Sequence, residues 1–304
     1  MAFTAKDVQA LREKTGCGMM DCKKALTECD GDMEKAVDFL REKGLAQQAK
    51  KAGRIAAEGA VLVYEADGVA ASVEINAETD FVAGGDLFKD LTLKVAQVVA
   101  EQNPADVEAL GNCALDGKTV NEAVQDLFLA VRENIKIRRF ERFEGNVGSY
   151  VHGGGKIGVL VNFDTTDEVA ATAEFKTLTK DISMQIAAAN PAFLDRASVP
   201  AETVEHEKNI MISQMKEDPK MANKPEQVLA KIVEGKMGKY FSEVCLLEQT
   251  YVKDGDYTVG KYIESVAKKL GADIKLVKYA RLEKGEGLEK RSDNFADEVA
   301  SMVK

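Results

Sequence analysis

A chain of 304 residues that is 45% hydrophobic and 30% charged lies outside the disordered range and is long enough for about two or three domains. No apolar run approaches the ~18 to 20 residues that span a bilayer, and the N-terminus lacks the apolar core of a signal peptide, so a cytoplasmic protein is expected, with no membrane partner. The net charge of −10 (41 basic against 51 acidic residues), the absence of Trp and the small aromatic content argue against direct binding of nucleic acid.

The charge is uneven. Residues 1–57 carry 11 Lys/Arg and 9 Asp/Glu, a net of +2, which leaves −12 for the remainder. This basic end reads as three short helices over residues 4–44. In "TAKDVQALREKTG" Val8 and Leu11 face inward and Gly16 is the exit. "GMMDCKKALTECDG" puts Met19, Cys22, Ala25 and Leu26 on one stripe. "DMEKAVDFLREKG" puts Met33, Val37 and Leu40 on one face, with a stop expected at Gly44. The Ala- and Lys-rich run "LAQQAKKAGRIAAEGA" then reads as a partly helical linker.

Strands follow. "EGAVLVYEADGVAASVEINAET", residues 58–79, is a hairpin around "EADG", and "EGNVGSYVHGGGKIGVLVNFDT", residues 144–165, repeats it. At a constant offset of 86, eight of the 22 positions are identical, among them Asn76 with Asn162 and Thr79 with Thr165. Chance would give about one or two at ordinary residue frequencies, so the core is an internal duplication. Helices are expected after each hairpin: "DLFKDLTLKVAQVVAEQ" and "TVNEAVQDLFLAVREN" after the first, and a single long one, "DEVAATAEFKTLTKDISMQIAAAN", closed by Pro191, after the second. Strands followed by helices make the fold class α+β, with antiparallel sheets.

Residues 202–246 interrupt this pattern with two helices. Pro219 is expected to stop the first and Pro225 to sit at the first position of the second. Val228, Leu229, Ile232, Val233 and Met237 form one stripe, and Val204, Met211 and Met215 are expected to face it. Gly235 and Gly238 fall inside the second helix, where each costs about 1 kcal/mol relative to Ala. The chain then returns as helix and strand over "YTVGKYIESVAKKLGADIKLVKYARLEKGEG". It closes on an amphipathic helix, "SDNFADEVASMVK", capped by Ser292 or Asp293.

Catalytic and metal signatures are missing. The cysteines Cys17, Cys22, Cys29, Cys113 and Cys245 match no zinc spacing, and two histidines, His152 and His206, leave little for a His-based site. "GNCALDGKT" has five residues between Gly111 and Gly117 where a phosphate-binding loop needs four, and no strand precedes it. Gly153, Gly154 and Gly155 are expected to supply positive φ for the second hairpin's turn. No enzyme, cofactor or bound metal is expected. What stands out is "TDFVA". A large ring, Phe81, sits where the chain turns, and at the offset of 86 neither Asp80 nor Phe81 recurs. Phe81 either caps the core beneath "LFKDL" or enters a pocket in a partner.

Several stretches together resemble the elongation factor Ts family: "LREKTGCGMMDCKKAL" at 11–26, "AAEGAV" at 56–61, "INAETDFVA" at 75–83, "HGGGKIGVLV" at 152–161 and "VGKYIESV" at 259–266. The resemblance covers nearly the whole chain in the family's order. It implies an N-terminal ubiquitin-associated-like module (1–54), a duplicated core (55–140, and 141–200 with 247–285), a protruding coiled-coil hairpin (201–246) and a C-terminal helix module (286–304). It also implies guanine-nucleotide exchange on elongation factor Tu, whose own GDP or GTP and Mg²⁺ are disturbed by the tip Thr79, Asp80, Phe81 and Val82. Arg12, Met19, Met20 and His152 are implied as further contacts, with the C-terminal helix near Phe295, Val299 and Met302. The family's assemblies are one-to-one or two-to-two. A ubiquitin-associated-like adaptor is the alternative, resting on the N-terminal module alone.

Overall fold

Polar caps start the first and third N-terminal helices, Gly18 starts the second, and small residues end all three. Thr4 and Asp7 form a reciprocal capping box on α1 (Ala5–Thr15), and Gly16 leaves it in the left-handed region at φ 67°. After α2 (Met19–Glu28), the Asp32 carboxylate caps α3 (Met33–Lys51) by accepting from the Glu34 and Lys35 amides, each at 3.1 Å. The computed structural model describes residues 3–217 and 225–289. Val8, Leu11, Cys22, Ala25, Leu26 and Leu40 are buried together with Phe128 and Leu129. The expected stop at Gly44 is a correction, because α3 runs on to Lys51. A Cβ at Gly44 would lie 2.3 Å from Leu129 Cδ2, so this glycine serves close helix packing rather than termination.

The first repeat pairs β1 (Glu58–Ala66) antiparallel with β2 (Val69–Ala77). It continues through α4 (Asp80–Gly84), α5 (Asp86–Gln102), α6 (Val107–Gly111), β3 (Ala114–Leu115), β4 (Lys118–Thr119), α7 (Val120–Val131) and β5 (Lys136–Glu144). The sheet order is β1-β2-β5, with α5 laid across β1 and β2. Val73, Ile75, Phe88, Val95, Val99 and Leu110 fill the space between them. "GNCALDGKT" forms the tight β3–β4 hairpin, with Asp116 and Gly117 at φ 52° and 79°, which agrees with its rejection as a phosphate loop.

The second repeat contains β6 (Asn146–His152), β7 (Ile157–Asp164), α8 (Asp167–Ala170) and α9 (Ala173–Ala189). Then come α10 (Ala201–Glu217), α11 (Glu226–Val244), α12 (Val259–Leu270) and β8 (Lys275–Glu283), in a sheet of order β6-β7-β8. Gly153, Gly154 and Gly155 have φ of 61°, 65° and 106° in the β6–β7 turn, as expected. Of the described residues, 3–143 with 151–158 and 282–289 form one compact unit, and 144–150 with 159–217 and 225–281 form another. The mixture of helix and antiparallel sheet is α+β.

Other expectations are corrected. The long helix after β7 is two helices, because Thr172 caps α9 afresh by accepting from Phe175 N at 3.2 Å. Pro225 stands at the N-cap of α11, one place earlier than expected. Met215, Leu229, Val233 and Met237 make the buried α10–α11 seam, with Val204, Met211 and Ile232 beside it, whereas Val228 is 40% exposed in the helix's opening turn. Pro219 and the C-terminal helix with Phe295, Val299 and Met302 lie outside the described residues.

The duplication runs further than the hairpins. Asn76 Nδ2 donates to the Glu58 carbonyl at 3.1 Å, and Asn162 Nδ2 donates to the Glu144 carbonyl at 2.6 Å. One residue is then added in the second repeat, so the later elements match at an offset of 87. Phe88, Leu91, Thr92 and Asn103 correspond to Phe175, Leu178, Thr179 and Asn190, and both asparagines are left-handed C-caps, at φ 48° and 46°.

Candidate functional site

The added residue changes how the tip compares. Thr79 caps α4 by accepting from Val82 N at 3.3 Å, and Thr166, rather than Thr165, caps α8 by accepting from Val169 N at 3.4 Å. "TDFVA" at 79–83 therefore corresponds to "TDEVA" at 166–170. The expectation that neither Asp80 nor Phe81 is duplicated needs correcting. Asp80 recurs as Asp167, and Phe81 alone departs, with Glu168 in its place. An ungapped comparison hides this because Thr165 and Thr166 stand side by side.

A single turn of helix sorts the tip's side chains. Ala83 is buried and Val82 packs against the first repeat's core, while Asp80 and Phe81 point to solvent. Phe81 is 87% exposed, so it does not cap the core; Phe88, one element later, is 1% exposed and does. Gly85 ends α4 and opens α5, where Leu87 is 66% exposed. An apolar ring and an apolar chain six residues apart are thus both exposed. Leaving a Phe in water forgoes roughly 1.5 to 3 kcal/mol of burial.

The tip is tied down from behind. Glu133 accepts from Thr79 N at 3.0 Å and from Thr79 Oγ1 at 2.7 Å, and Glu78 accepts from Asn134 N at 2.7 Å. Sequence reasoning misses Glu133, which lies 54 residues from Thr79 and belongs to no motif.

The other expected contacts lie elsewhere on the chain. Arg12 is exposed on α1, and Met19 and Met20 open α2 at 45% and 73% exposure. Met19 shares the helical spacing of Cys22, Ala25 and Leu26 but is not buried with them. Helical side chains lean toward the N-terminus, and at the first position there is no earlier turn to lean against. His152 is exposed at the end of β6, where its carbonyl accepts from Lys156 N at 3.0 Å.

Beneath the first repeat's sheet lies a second feature that sequence reasoning misses. Glu74 is fully buried on β2 and is met by Arg139 Nε at 2.6 Å, Arg138 at 3.0 Å, Asn76 at 3.1 Å and Gly285 N at 2.7 Å. Burial pushes its carboxyl up, but the Gly285 amide and the two guanidiniums outweigh this and hold it below the usual glutamate range. In the second unit Asp181 similarly collects Lys253 Nζ at 2.6 Å and the Tyr251 and Tyr262 hydroxyls at 2.8 and 3.0 Å. Both carboxylates are fully engaged inside the chain, so they read as structural groups.

All five cysteines are free thiols; Cys17, Cys22 and Cys245 are buried, and burial pushes these three up. Among the described residues no group of three or more His, Cys, Asp or Glu side chains is arranged to hold a metal ion, and no helix is long and apolar enough to cross a membrane.

The family model for Elongation factor TS matches residues 78–286, which begin one residue before the tip's cap. Curated relatives named elongation factor Ts match the chain from end to end. That of Clostridium perfringens is 50% identical over 306 residues and covers 99% of both chains. That of Syntrophotalea carbinolica is 50% identical over 312 residues and covers 100% of both. That of Clostridium novyi is 49% identical over 304 residues and covers 97% of both. These matches place the chain among the translation elongation factors. Within that class, it belongs to the elongation factor Ts family.

Proposed function

We propose that this chain is a guanine-nucleotide exchange factor for elongation factor Tu. It binds the GDP form, disturbs the Mg²⁺ and phosphate site, and promotes GDP release and GTP loading. The observation that carries this reading is Phe81, a ring 87% exposed on a tip whose other apolar residues are turned inward. The ring is the wedge. A GTPase holds its nucleotide through phosphate-cradling amides, a lysine and Mg²⁺. Mg²⁺ demands a near-octahedral shell, so a small shift of the surrounding helices loosens it. Asp80, exposed beside the ring, interacts with polar groups near that site and is no permanent metal ligand. Thr79 and Val82 hold the turn that presents the pair.

Arg12, Met19, Met20 and His152 complete the contact surface. Two adjacent exposed methionines suit an adaptable apolar contact. The five-part division of the chain, with an α10–α11 hairpin projecting from a duplicated core, belongs to the same reading, as do a cytoplasmic setting and a one-to-one or two-to-two assembly with the partner.

Exchange of this kind is linkage and needs no catalytic group. A factor that weakens nucleotide binding is itself bound less tightly when nucleotide is present, by the same factor. GTP therefore displaces the factor it follows. The test is release of a fluorescent GDP analogue from Mg²⁺-loaded elongation factor Tu, followed by stopped flow. The wild-type chain is expected to accelerate release, and Phe81→Ala to lose most of that acceleration while keeping its thermal transition. No acceleration by the folded wild type would reject exchange and leave the ubiquitin-associated-like adaptor as the reading to pursue.

A further inference from the structure

The helix that carries Phe81 is five residues long. Isolated helices shorter than about 12 residues are marginal in water, so this turn does not hold its own direction. Ala83, which is buried, and Val82, packed on the core, hold one face of it, and Glu133 holds its base. Both carboxylate oxygens of this half-buried residue go to one partner, two positions before the ring: Oε2 accepts from Thr79 N at 3.0 Å and Oε1 from Thr79 Oγ1 at 2.7 Å. The same Thr79 hydroxyl caps the helix by accepting from Val82 N at 3.3 Å. Glu133 therefore grips the residue from which the turn springs.

Glu133 is itself on a fixed base, the connector between α7 and β5. Arg132 leaves α7 in the left-handed region at φ 60°, and its guanidinium donates to Asp21 Oδ2 at 2.6 Å and Gln47 Oε1 at 2.5 Å. Its carbonyl accepts from Lys51 Nζ. On the other side, Asn134 N donates to Glu78 Oε1 at 2.7 Å, and its side-chain amide donates to the carbonyls of Ala52 and Arg54 at 3.3 and 3.0 Å. Three successive residues thus join the helix that begins with Met19 and Met20 to the base of the Phe81 turn. The second repeat differs. Among the described residues, the carboxylate that meets the Thr166 hydroxyl is Glu168 of the same turn, and none from another element stands behind it.

We propose that Glu133 is the positioning residue of the tip: its carboxylate fixes Thr79, and through Thr79 the direction in which Phe81 enters the partner. The inference rests on the exchange reading above. A ring on a loose turn still reaches its pocket, but ordering the turn then consumes interaction energy that would otherwise displace the partner's helices. The loss falls on the rate of GDP release at saturation more than on the concentration needed to reach it.

The test uses the full chain in the stopped-flow GDP-release assay, titrated to saturation, with thermal melts of each variant. Glu133→Ala is expected to lower the saturated release rate about tenfold while half-saturation moves less than about twofold. Glu133→Gln keeps one acceptor oxygen and is expected to lose only about threefold. In a Phe81→Ala background either change is expected to cost less than about twofold more, because a misdirected side chain that is already absent has nothing further to lose. A full release rate in folded Glu133→Ala overturns the inference, and so does an equal fold-loss with and without Phe81. If Glu133→Ala does not fold, the glutamine variant in the two backgrounds decides by the same criterion. A wild-type chain that fails to accelerate release rejects the exchange reading instead, so the two failures are distinct.

Discussion

The two repeats have nearly the same tip and differ at one exposed position of it. Each hairpin is closed by an asparagine bonded to a carbonyl 18 residues earlier, and each is followed by a threonine-capped turn, "TDFVA" or "TDEVA". Everything needed to build the turn is shared: the cap, the following Asp, and the Val and Ala that follow. The residue that differs is exposed in both. Glu168 turns its carboxylate to the Thr166 hydroxyl at the start of its helix, whereas Phe81 places a ring in water. Leu87, also exposed, matches Glu174, which pairs with Lys269 at 3.3 Å. A duplicated scaffold thus separates residues that both copies share from exposed apolar ones found in one copy, and on the exchange reading the latter meet the partner.

Exchanging the tips is the strongest way to break this comparison. Phe81→Glu is expected to reduce accelerated GDP release by about a hundredfold, the scale set by one buried ring. Adding Glu168→Phe is expected not to restore it, because the second turn lacks the Glu133 grip. Melting of the double variant is expected to stay close to wild type, since both positions are surface ones. Recovery of exchange by the double variant would show that the two tips are interchangeable.

A second contrast lies inside the sheets. Glu74 on β2 corresponds to Leu160 on β7, and both are fully buried. Glu74→Leu, which copies the second repeat, is expected to destabilise the chain by about 2 kcal/mol at pH 7, as charge-assisted hydrogen bonds to two arginines and the Gly285 amide are lost. The carboxyl's folded-state value is depressed, so its contribution is complete above the ordinary glutamate range and is lost as pH falls through the depressed value. Denaturation of wild type and variant is therefore expected to differ at pH 7 and pH 5 and to converge only below about 4. A difference that does not change with pH would mean that packing, and not charge, holds this site. The smallest effect tests what the repeats share. Asn162→Ala is expected to cost about 1 kcal/mol of stability, one hydrogen bond to the Glu144 carbonyl, and Asn76→Ala somewhat more, because Asn76 donates to Glu74 as well as to the Glu58 carbonyl. Equal losses in denaturant melts would show that the Asn76–Glu74 bond adds nothing to stability.

Local rules were legible where the chain decides its own conformation. Helix starts at Thr4 and Asp32, exits at Gly16, and the glycine turn at 153–155 follow from caps and φ preferences, which act within a few residues. The hairpin duplication was legible because strands repeat their pattern without gaps. The family motifs pointed to the tip, and the Phe81 ring drew attention because a turn is a poor place to bury one.

What the sequence alone determined, then, is the long helices and the two hairpins, the duplication and the residue that stands out. Tertiary structure decided the rest. It carried α3 past Gly44, because a neighbouring helix needs the space a side chain would fill. It left Met19 in solvent at the open end of α2, and it revealed the added residue that makes Thr166 the true partner of Thr79. It also brought Glu133 to Thr79 across 54 residues. Such contacts carry no local signal: a carboxylate's partner is fixed by where packed helices and strands deliver it, and spacing along the chain does not encode that distance.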